Sequence, residues 1–399
     1  MRELRPGWAL TRVGDLFDMQ LGKMLSKEAS SGPEQRAYLT NKNVQWNRLD
    51  FDELNYMSFS ESEREKFRLI TGDLLVTEGG EVGRTALWEG QQSECYFQKS
   101  LHRLRSKGRI DPRYMLHYMA YAARHSLFVD GVSRTSIAHL PQDKFAEHLI
   151  AHPVELDEQR RIVDVVEEVS AQERAVEAAI AKLHSLRQGL LQNFMDRLAC
   201  GEIPVDWLPV RDVGSVRVGK QLSPDSREAV GQFPYLRVAN VLAGCIDYSD
   251  VKTMGFTSGE RFTYQLLPGD ILLNEGQSLE LVGRSAIYRG AASEFCFQNT
   301  LLRFRAAEAL DPEYAQVVFT HWLRIGVFAG IAKKTTSIAH LGGDRFGALE
   351  FPLVSPEDQA DLVSVVAACD RNMEVEQGEL HKLRLLKQGL VDDLLGEVS

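Results

Sequence analysis

The sequence predicts a mixed α/β fold in which two similar globular domains are joined by two long helices that form an antiparallel coiled coil, as a pseudo-two-fold tandem repeat. Three observations support this prediction. The second half of the chain repeats the first, each copy begins with short apolar runs between Gly-rich turns, and each copy ends in a seven-residue apolar pattern. The 399 residues divide into domains at 1–153 and 199–354 and helices at 154–198 and 355–399.

The repeat is a colinear series of matched segments, offset by 197 residues at first and by 200 and 201 further on. The segment GDLL at 72–75 returns as GDIL at 269–272, and FQ at 97–98 returns as FQ at 297–298. The segment TSIAHL at 135–140 recurs unchanged at 336–341. Chance does not produce such an ordered series, so each copy is one structural unit.

Each predicted globular domain mixes strands with helices. The runs DLLVTEGGEVGRTALW at 73–88 and DILLNEGQSLELVGRSAIY at 270–288 indicate a strand, a turn and a second strand. The runs YMLHYMAYAARHSLF at 114–128 and EYAQVVFTHWLRIGVF at 313–328 have helical periodicity. We therefore expect an α/β domain built on a small sheet in each copy.

Each copy then continues into a long helix. Pro153 and Pro352 precede acidic first turns, which the helix dipole favours. The first helix has a coiled-coil seam at Ile162, Val166, Val169, Val176, Ile180, Leu183, Leu190 and Phe194. The second has one at Leu362, Val366, Met373, Leu380, Leu383, Leu390 and Leu394. Because Glu376 interrupts this second seam and Gly378 lies in mid-helix, the second helix is expected to be the weaker.

Connectivity predicts the direction of pairing. The first helix leads away from the first domain, and the second must return toward it if the two helices pair, so the pair is antiparallel. About 42 residues at about 1.5 Å each give a rod of roughly 63 Å.

The net charge of −10, taken alone, speaks against a nucleic-acid partner. The distribution of this charge along the chain removes the objection. Residues 157–198 carry −2 and residues 357–399 carry −6, which leaves −2 for the rest of the chain. The acidity therefore belongs to the helices, and the globular domains can carry basic patches.

Cysteine usage and hydropathy indicate a cytoplasmic protein. The five cysteines, Cys95, Cys200, Cys245, Cys296 and Cys369, form no C-x-x-C pair, so they are expected to be buried apolar residues rather than disulfides or zinc ligands. No apolar run is long enough for a signal peptide or a membrane span.

Four segments resemble the conserved regions of the specificity subunits of Type I restriction-modification systems. They are HPVELDEQRRIVDVV and LHSLRQGLLQNFMDRLACGEIPVDWLPVRDVG, with the echoes FPLVSPEDQADLVSVV and LHKLRLLKQGLVDDLL. The resemblance covers essentially the whole chain.

The resemblance implies a sequence-specific DNA-binding subunit for DNA methylation and host defence. Each globular domain would be a target recognition domain that reads half of a bipartite asymmetric site in double-stranded DNA. The helices would fix the unread spacer, at most about 18 base pairs for such a rod, and dock two methyltransferase (modification) subunits. It also implies restriction/translocase subunits in the full complex, no membrane partner and no catalysis by this chain. It implies no cofactor in this chain, with S-adenosylmethionine bound by the methyltransferase subunit and ATP and Mg²⁺ bound by the restriction subunit.

Comparison of the two copies sorts the candidate DNA-binding residues. Matched residues are expected to hold the fold or contact phosphate, whereas residues that differ in matched loops are candidates for base recognition. The matched residues are Lys23, Asn43, Arg84, Gln98, Arg103 and Arg105, with Lys220, Asn240, Arg284, Gln298, Arg303 and Arg305. The differing residues are Thr40, Lys42, Lys99 and Arg134 in the first copy, and Arg237, Asn299, Lys333 and Lys334 in the second, where Ala239 replaces Lys42.

Alternatives from other functional classes remain open at this point. The chain could be a coiled-coil scaffold whose domains bind protein, or a degenerate nuclease with a metal site at Asp270 and Glu275, although Gln277 stands where a nuclease needs lysine. Ser136, His139 and Asp143 are too close in sequence for a hydrolytic triad and are expected to form a structural corner. The chain has neither an Asn-Pro-Pro-aromatic motif nor G-x-G-x-x-G, so methyl transfer would need a partner.

Overall fold

The computed structural model describes residues 4–128, 139–335 and 338–396. The chain divides into two compact units, one formed by Met1–Ala178 with Gln377–Ser399 and the other by Ala179–Glu376. We call these unit 1 and unit 2. We call the described residues of 4–155 head 1 and those of 200–355 head 2, so each unit contains one head and part of both long helices.

Head 1 mixes short strands and helices, as its sequence pattern predicts. Its strands are β1 (Trp8–Arg12), β2 (Phe17–Leu21), β3 (Gln35–Leu39), β4 (Val44–Gln45), β5 (Arg48–Leu49), β6 (Asn55–Ser58), β7 (Leu74–Thr77), β8 (Thr85–Leu87), β9 (Tyr96–Phe97), β10 (Leu101–Ser106) and β11 (Leu149–Pro153). Its helices are α1 (Val13–Leu16), α2 (Lys27–Ser31), α3 (Glu61–Phe67), α4 (Pro112–Arg124) and α5 (Gln142–Glu147).

The central sheet of head 1 is antiparallel, in the order β2-β10-β7-β8, and apolar layers cover both of its faces. Leu74, Val76 and Leu104 face α4, whereas Leu75 and Leu101 face a second sheet in the order β6-β3-β9. In that second sheet β3 runs parallel to β9. Strands buried on both faces explain why this sequence reads as continuous apolar runs.

Head 2 repeats this arrangement. Its strands are β12 (Asp206–Pro209), β13 (Gly214–Val218), β14 (Gln232–Leu236), β15 (Lys252–Gly255), β16 (Ile271–Asn274), β17 (Gly276–Gln277), β18 (Ser285–Ile287), β19 (Cys296–Phe297), β20 (Leu301–Ala306), β21 (Lys333–Lys334), β22 (Ala339–His340) and β23 (Glu350–Leu353). Its α-helices are α7 (Val210–Val213), α8 (Pro224–Glu228), α9 (Ser258–Tyr264), α10 (Pro312–Arg324), α11 (Val327–Ile331) and α12 (Gly343–Gly347), and a 3-10 turn covers Val238–Asn240. The order β13-β20-β16-β18 copies the central sheet of head 1, which confirms the repeat.

The two long helices are α6 (Leu156–Ala199) and α13 (Pro356–Leu395). Residues of both helices enter the core of each unit, for example Val166 and Val391 in unit 1 and Phe194 and Leu362 in unit 2. The predicted seam residues are buried or half-buried throughout, and α13 continues through Gly378. The mixed α/β fold with two long helices is thus confirmed.

Ion pairs show that the helices are antiparallel in each unit. In unit 1, Glu173 binds Lys387 at 2.7 Å and Glu177 binds Arg384 at 2.8 Å, so rising numbers on α6 meet falling numbers on α13. In unit 2, Arg187 Nε lies 2.7 Å from Asp370 Oδ1, and Phe194, which is later on α6, shares a core with Leu362, which is earlier on α13.

A buried glutamine in the first turn of each long helix fixes that helix to its head. Gln159 Oε1 accepts the backbone N–H of Asp111 at 2.8 Å, and its Nε2 donates to the carbonyl oxygen of Pro153 at 2.8 Å. Gln359 makes the same two kinds of bond, to Asp311 and to Val354. These glutamines satisfy backbone groups that would otherwise be buried without partners.

The prediction that all five cysteines are buried is wrong for two of them. Cys95, Cys296 and Cys369 are buried, but Cys200 and Cys245 are exposed because each lies in a turn between elements. Among the described residues, no helix is long and apolar enough to span a membrane.

Candidate nucleic-acid interface

Five segments of head 1 meet at one end of its central sheet. We call them loop surface 1: residues 22–23, 40–43, 78–84, 98–100 and 139–140. The backbone joins them, because Gln98 N–H donates to Leu39 at 2.9 Å, Glu78 N–H to Ser100 at 3.0 Å and Leu140 N–H to Glu78 at 2.8 Å. The topology explains this convergence. Parallel strands β3 and β9 end side by side, and β7 ends where its neighbour β10 begins.

Head 2 has the same surface built from the repeated residues. Loop surface 2 comprises residues 219–220, 237–240, 275–284, 298–300 and 339–340, together with β21. Gln298 N–H donates to Leu236 at 2.9 Å, Glu275 N–H to Thr300 at 2.9 Å and Leu341 N–H to Glu275 at 2.8 Å. The structure therefore brings together most of the loops that sequence comparison singled out.

A glycine allows the first of these segments to approach the others. A Cβ added to Gly22 would lie far inside contact distance of the Gln98 carbonyl group, and one added to Gly219 would meet Gln298 in the same way. The adjacent lysines complete the junction through parallel bridges, Lys23 with Gln98 and Lys220 with Gln298. Only glycine permits this close backbone approach without a shift.

The two matched lysines are held by carboxylates. Lys23 Nζ lies 2.6 Å from Glu63 Oε2 and 2.8 Å from the Ser58 carbonyl oxygen. Lys220 Nζ lies 2.7 Å from Glu260 Oε2, and this hydrogen bond is the largest of the effects that lower the pKa of the Glu260 carboxyl group. Both glutamates also close capping boxes of α3 and α9, so these lysines anchor the neighbouring layer in place.

The matched asparagines hold their own loops. Asn43 is 4% exposed, its Oδ1 accepts the N–H of Thr40 at 2.9 Å, and its Nδ2 donates to the carbonyl oxygens of Asp50 and Glu53. Asn240 makes the equivalent bonds with Arg237, Asp247 and Asp250. With its hydrogen-bonding capacity used internally, this pair belongs to the frame of the domain.

The matched arginines of the central strands lie inside the heads. Arg103 is 4% exposed and binds Asp18 at 2.8 Å, whereas Arg303 is 5% exposed with Ser215 in place of that acid. Burial, followed by the nearby Arg305 charge, lowers the pKa of Arg303 to about 10. This value keeps the guanidinium charged at neutral pH.

Two further matched arginines, Arg105 and Arg305, form bidentate pairs with buried carboxylates. Arg105 binds both oxygens of Asp73 at 2.7 and 2.8 Å, and Arg305 binds those of Asp270 at 2.6 and 2.8 Å. They lie four residues along β10 and β20 from the ends that meet the loop surfaces. Their environment is that of residues that hold the fold, which is one of the two roles predicted for matched residues.

The remaining candidates lie on the loop surfaces and differ in their accessibility. Lys42, Lys99, Lys333 and Lys334 are exposed, whereas Thr40, Arg84, Gln98, Arg237, Arg284, Gln298 and Asn299 are half-buried. Arg237 binds Asp250 at 2.6 Å, and Gln98 Oε1 accepts the N–H of Ser100 at 3.0 Å. Arg134 lies outside the described residues, as do Ser136 of the sequence-level triad and its repeat Ser337.

The acidic residues of the nuclease alternative are engaged elsewhere. Asp270 gives both carboxylate oxygens to Arg305 and also accepts the N–H of Leu267 at 2.8 Å. Glu275 lies 3.0 Å from His340 Nδ1. Within residues 4–128, 139–335 and 338–396, no three His, Cys, Asp or Glu side chains are arranged to hold a metal ion.

One cluster on loop surface 1 escaped the sequence comparison because it has no counterpart in the second copy. Glu81 accepts a hydrogen bond from Trp46 Nε1 at 2.7 Å and binds Arg84 at 3.3 Å. Leu281 occupies the position of Glu81 in the repeat. An acid three residues before an arginine is the only signal in the sequence that pointed to it.

Comparison with known proteins finds a family model that matches the first part of the chain. Residues 6–183 match the family model described as the Type I restriction modification DNA specificity domain. The Type I restriction enzyme EcoKI specificity subunit of Escherichia coli K12 is 22% identical over 384 residues, which cover 90% of this chain and 82% of that protein.

A second curated relative matches over a shorter region. The putative type I restriction enzyme MjaX specificity subunit of Methanocaldococcus jannaschii is 24% identical over 207 residues, which cover 51% of this chain. The match spans about half of that relative, 48% of its length.

Two solved structures share the fold along the whole chain. The S subunit of a Type I restriction-modification system from M. genitalium has a TM-score of 0.58 at 14% identity, covering 100% of this chain and 98% of that one. A chain from a study of complex assembly and conformational transition in the type I R-M system has a TM-score of 0.63 at 16% identity, covering 98% of both chains.

Proposed function

We propose that this chain, which is similar to the specificity subunits of Type I restriction-modification systems, selects the DNA sites on which such an enzyme acts. Each head is a target recognition domain, and each loop surface contacts one half of a bipartite, asymmetric site in double-stranded DNA. The observation that carries this proposal is the duplication of one loop surface on two heads whose exposed side chains differ.

The two classes of residue have different tasks in this proposal. The matched anchors, such as Lys23 with Glu63 and Arg105 with Asp73, hold each surface in shape. The exposed lysines Lys42 and Lys99, which become Ala239 and Asn299 in head 2, make the contacts that distinguish the halves of the site. Lysine and arginine suit guanine and asparagine suits adenine, and a good bidentate pair contributes about 1–3 kcal/mol of discrimination.

The chain contributes recognition and no chemical step in this proposal. Two methyltransferase subunits dock on it and bind S-adenosylmethionine, and restriction subunits of the full complex bind ATP and Mg²⁺. The internal pairing of Asp270 with Arg305 and of Glu275 with His340 supports this assignment, since it engages the acids of the strongest enzymatic alternative.

The test exchanges loop residues between the heads. The chain is co-expressed with the methyltransferase subunit encoded beside it, and methylated positions in the host genome are mapped by sequencing. A variant carrying Thr40→Arg, Lys42→Ala and Lys99→Asn gives loop surface 1 the residues that loop surface 2 has at these three positions. We expect the methylated motif to change in one half only.

The matched control is Lys107→Ala. Lys107 is an exposed lysine just after the far end of β10, away from loop surface 1, so this variant should methylate the original motif. A triple variant that leaves both halves of the motif unchanged would contradict the assignment of these residues. A wild-type complex that shows no preference among random duplexes at moderate salt would overturn the proposed function and favour a protein-binding scaffold.

A further inference from the structure

Arg84 in head 1 is held by its own loop through both terminal nitrogens of its guanidinium group. Its guanidinium donates to the carbonyl oxygen of Asn41 at 2.6 Å and to Glu81 at 3.3 Å. Glu81 is in turn held by Trp46. The hydroxyl group of Thr77 completes the network, because it accepts the backbone N–H of Arg84 at 3.1 Å and donates to the Glu81 carbonyl oxygen at 2.6 Å.

Arg284 occupies the same place in head 2 and has none of these partners. Leu281 replaces Glu81, so the carboxylate three residues before the arginine is missing. The Arg284 side chain makes no hydrogen bond or ion pair with any residue in the described parts of the chain. Within those parts its Nε is buried without a partner, as that of Arg84 is, so the two arginines differ in their terminal nitrogens. The residue is nevertheless only half-buried, so the rest of its guanidinium can be reached from outside.

Asn274, opposite Arg284 in the sheet, is a second polar side chain without hydrogen-bond partners in the part of the chain that the structure describes. It replaces Thr77, is 0% exposed, and neither its Nδ2 nor its Oδ1 has a partner among the described residues. The Asn274 N–H donates to the Arg284 carbonyl oxygen at 2.9 Å, and the next residues, Leu273 and Ser285, pair in the sheet. Opposed residues project to the same face, so both side chains lie on the same side. Buried polar groups without partners are rare in folded proteins.

We propose that Arg284 binds a backbone phosphate of DNA, and that Arg84 does not contact DNA but positions loop surface 1. This inference rests on the proposed function and divides a matched pair that sequence comparison had treated alike. A guanidinium with free donors is the side chain best suited to a phosphodiester oxygen, and such charge-assisted bonds are about twice as strong as neutral ones. In head 1 the equivalent guanidinium group, that of Arg84, is paired within the head with Glu81.

The salt dependence of DNA binding separates the two roles. Each phosphate contact contributes about 0.9 to the slope of log affinity against log salt. With the co-expressed methyltransferase complex and a duplex containing its methylated motif, Arg284→Ala should lower this slope by about 0.9. When the salt concentration rises fourfold, the DNA affinity of this variant should therefore fall by a factor about threefold smaller than that of the wild type. Arg84→Ala is the matched control and should leave the slope unchanged, while altering the preference for the half-site read by head 1.

Two further variants guard against a trivial loss of folding. Leu281→Glu supplies the missing carboxylate three residues before Arg284, so it should lower the slope as Arg284→Ala does without removing the arginine. Arg284→Lys keeps the charge and should keep the slope. Equal loss of slope in Arg84→Ala, or an unchanged slope in both Arg284→Ala and Leu281→Glu, would overturn the inference. If the wild-type complex binds no sequence preferentially, the failure lies with the proposed function instead.

Discussion

His117 should make unit 1 sensitive to acid. The residue lies on α4, is 6% exposed, and its Nε2 has no partner in the described part of the chain. It borders a cavity of 710 Å³ that Ser170 and Lys387 also line. Burial, with smaller effects from the charges of Lys387 and Arg113, lowers the pKa of His117 from 6.5 to about 4. The imidazole is therefore neutral in the folded protein at neutral pH.

The size and sign of the effect follow from that pKa. Between about pH 6.5 and about pH 4 the unfolded chain binds a proton at this site that the folded chain does not, so the free energy of unfolding falls as pH falls. The free energy of unfolding has its full value, as far as His117 is concerned, above about pH 6.5. It then falls by up to about 1.4 kcal/mol for each pH unit toward pH 4, and the total loss is limited to about 3 kcal/mol. Burial lowers the pKa of His102, His152 and His321 in the same direction.

His117→Val isolates the contribution of this one residue. Valine is the natural choice because Val317 fills the matched position in head 2 and is buried there. The free energies of unfolding of the wild type and the variant are measured in urea at several pH values by tryptophan fluorescence. Their difference should shift in favour of the variant as pH falls below about 6.5. A difference that stays constant from about pH 7 to about pH 4.5 would refute a buried, neutral His117.

Asp270→Asn should lower the free energy of unfolding by about 3 kcal/mol, because Arg305 loses a buried bidentate partner; urea unfolding measures it, and a change below about 1 kcal/mol would show that water already solvates the pair. Gly378→Ala should raise stability by about 1 kcal/mol, since a methyl group there meets open space in mid-helix. Gly22→Ala is the matched contrast and should destabilise the protein, because its methyl group would overlap the Gln98 carbonyl group. Thermal unfolding of both glycine variants tests this, and equal effects would contradict it.

Local pattern and repetition carried much of the fold and of the candidate site. The heptad spacing of Ile162, Val169 and Val176 depends only on neighbours along one helix, so the sequence was sufficient to predict α6. The repeat also pointed to the matched loops, because a loop that recurs with its flanking strands recurs in its position. The loop containing Lys42 and the loop containing Lys99 were selected in this way, and the structure places them on one surface.

The partners of each side chain could not be predicted in the same way. Whether Arg103 contacts phosphate or holds the sheet depends on Asp18, which is 85 residues away in sequence and reaches it only through the pairing of β2 with β10. The role of Asn43 depends on a chain that turns back at Asp50. Arg84 and Arg284 looked equivalent because comparison of the copies weighs each residue by itself, whereas their difference lies in the neighbour at Glu81.

The division of the chain into units sets an order for its folding during synthesis. Unit 2 is one continuous stretch, Ala179–Glu376, but unit 1 needs Gln377–Ser399 as well as its own first 178 residues. Val391 and Leu395 from α13 are buried in the core beneath head 1. Although head 1 leaves the ribosome first, its core can be completed only after head 2 has been made. A chain cut after Glu376 would therefore contain all of unit 2 but would lack the α13 residues that complete the core of unit 1.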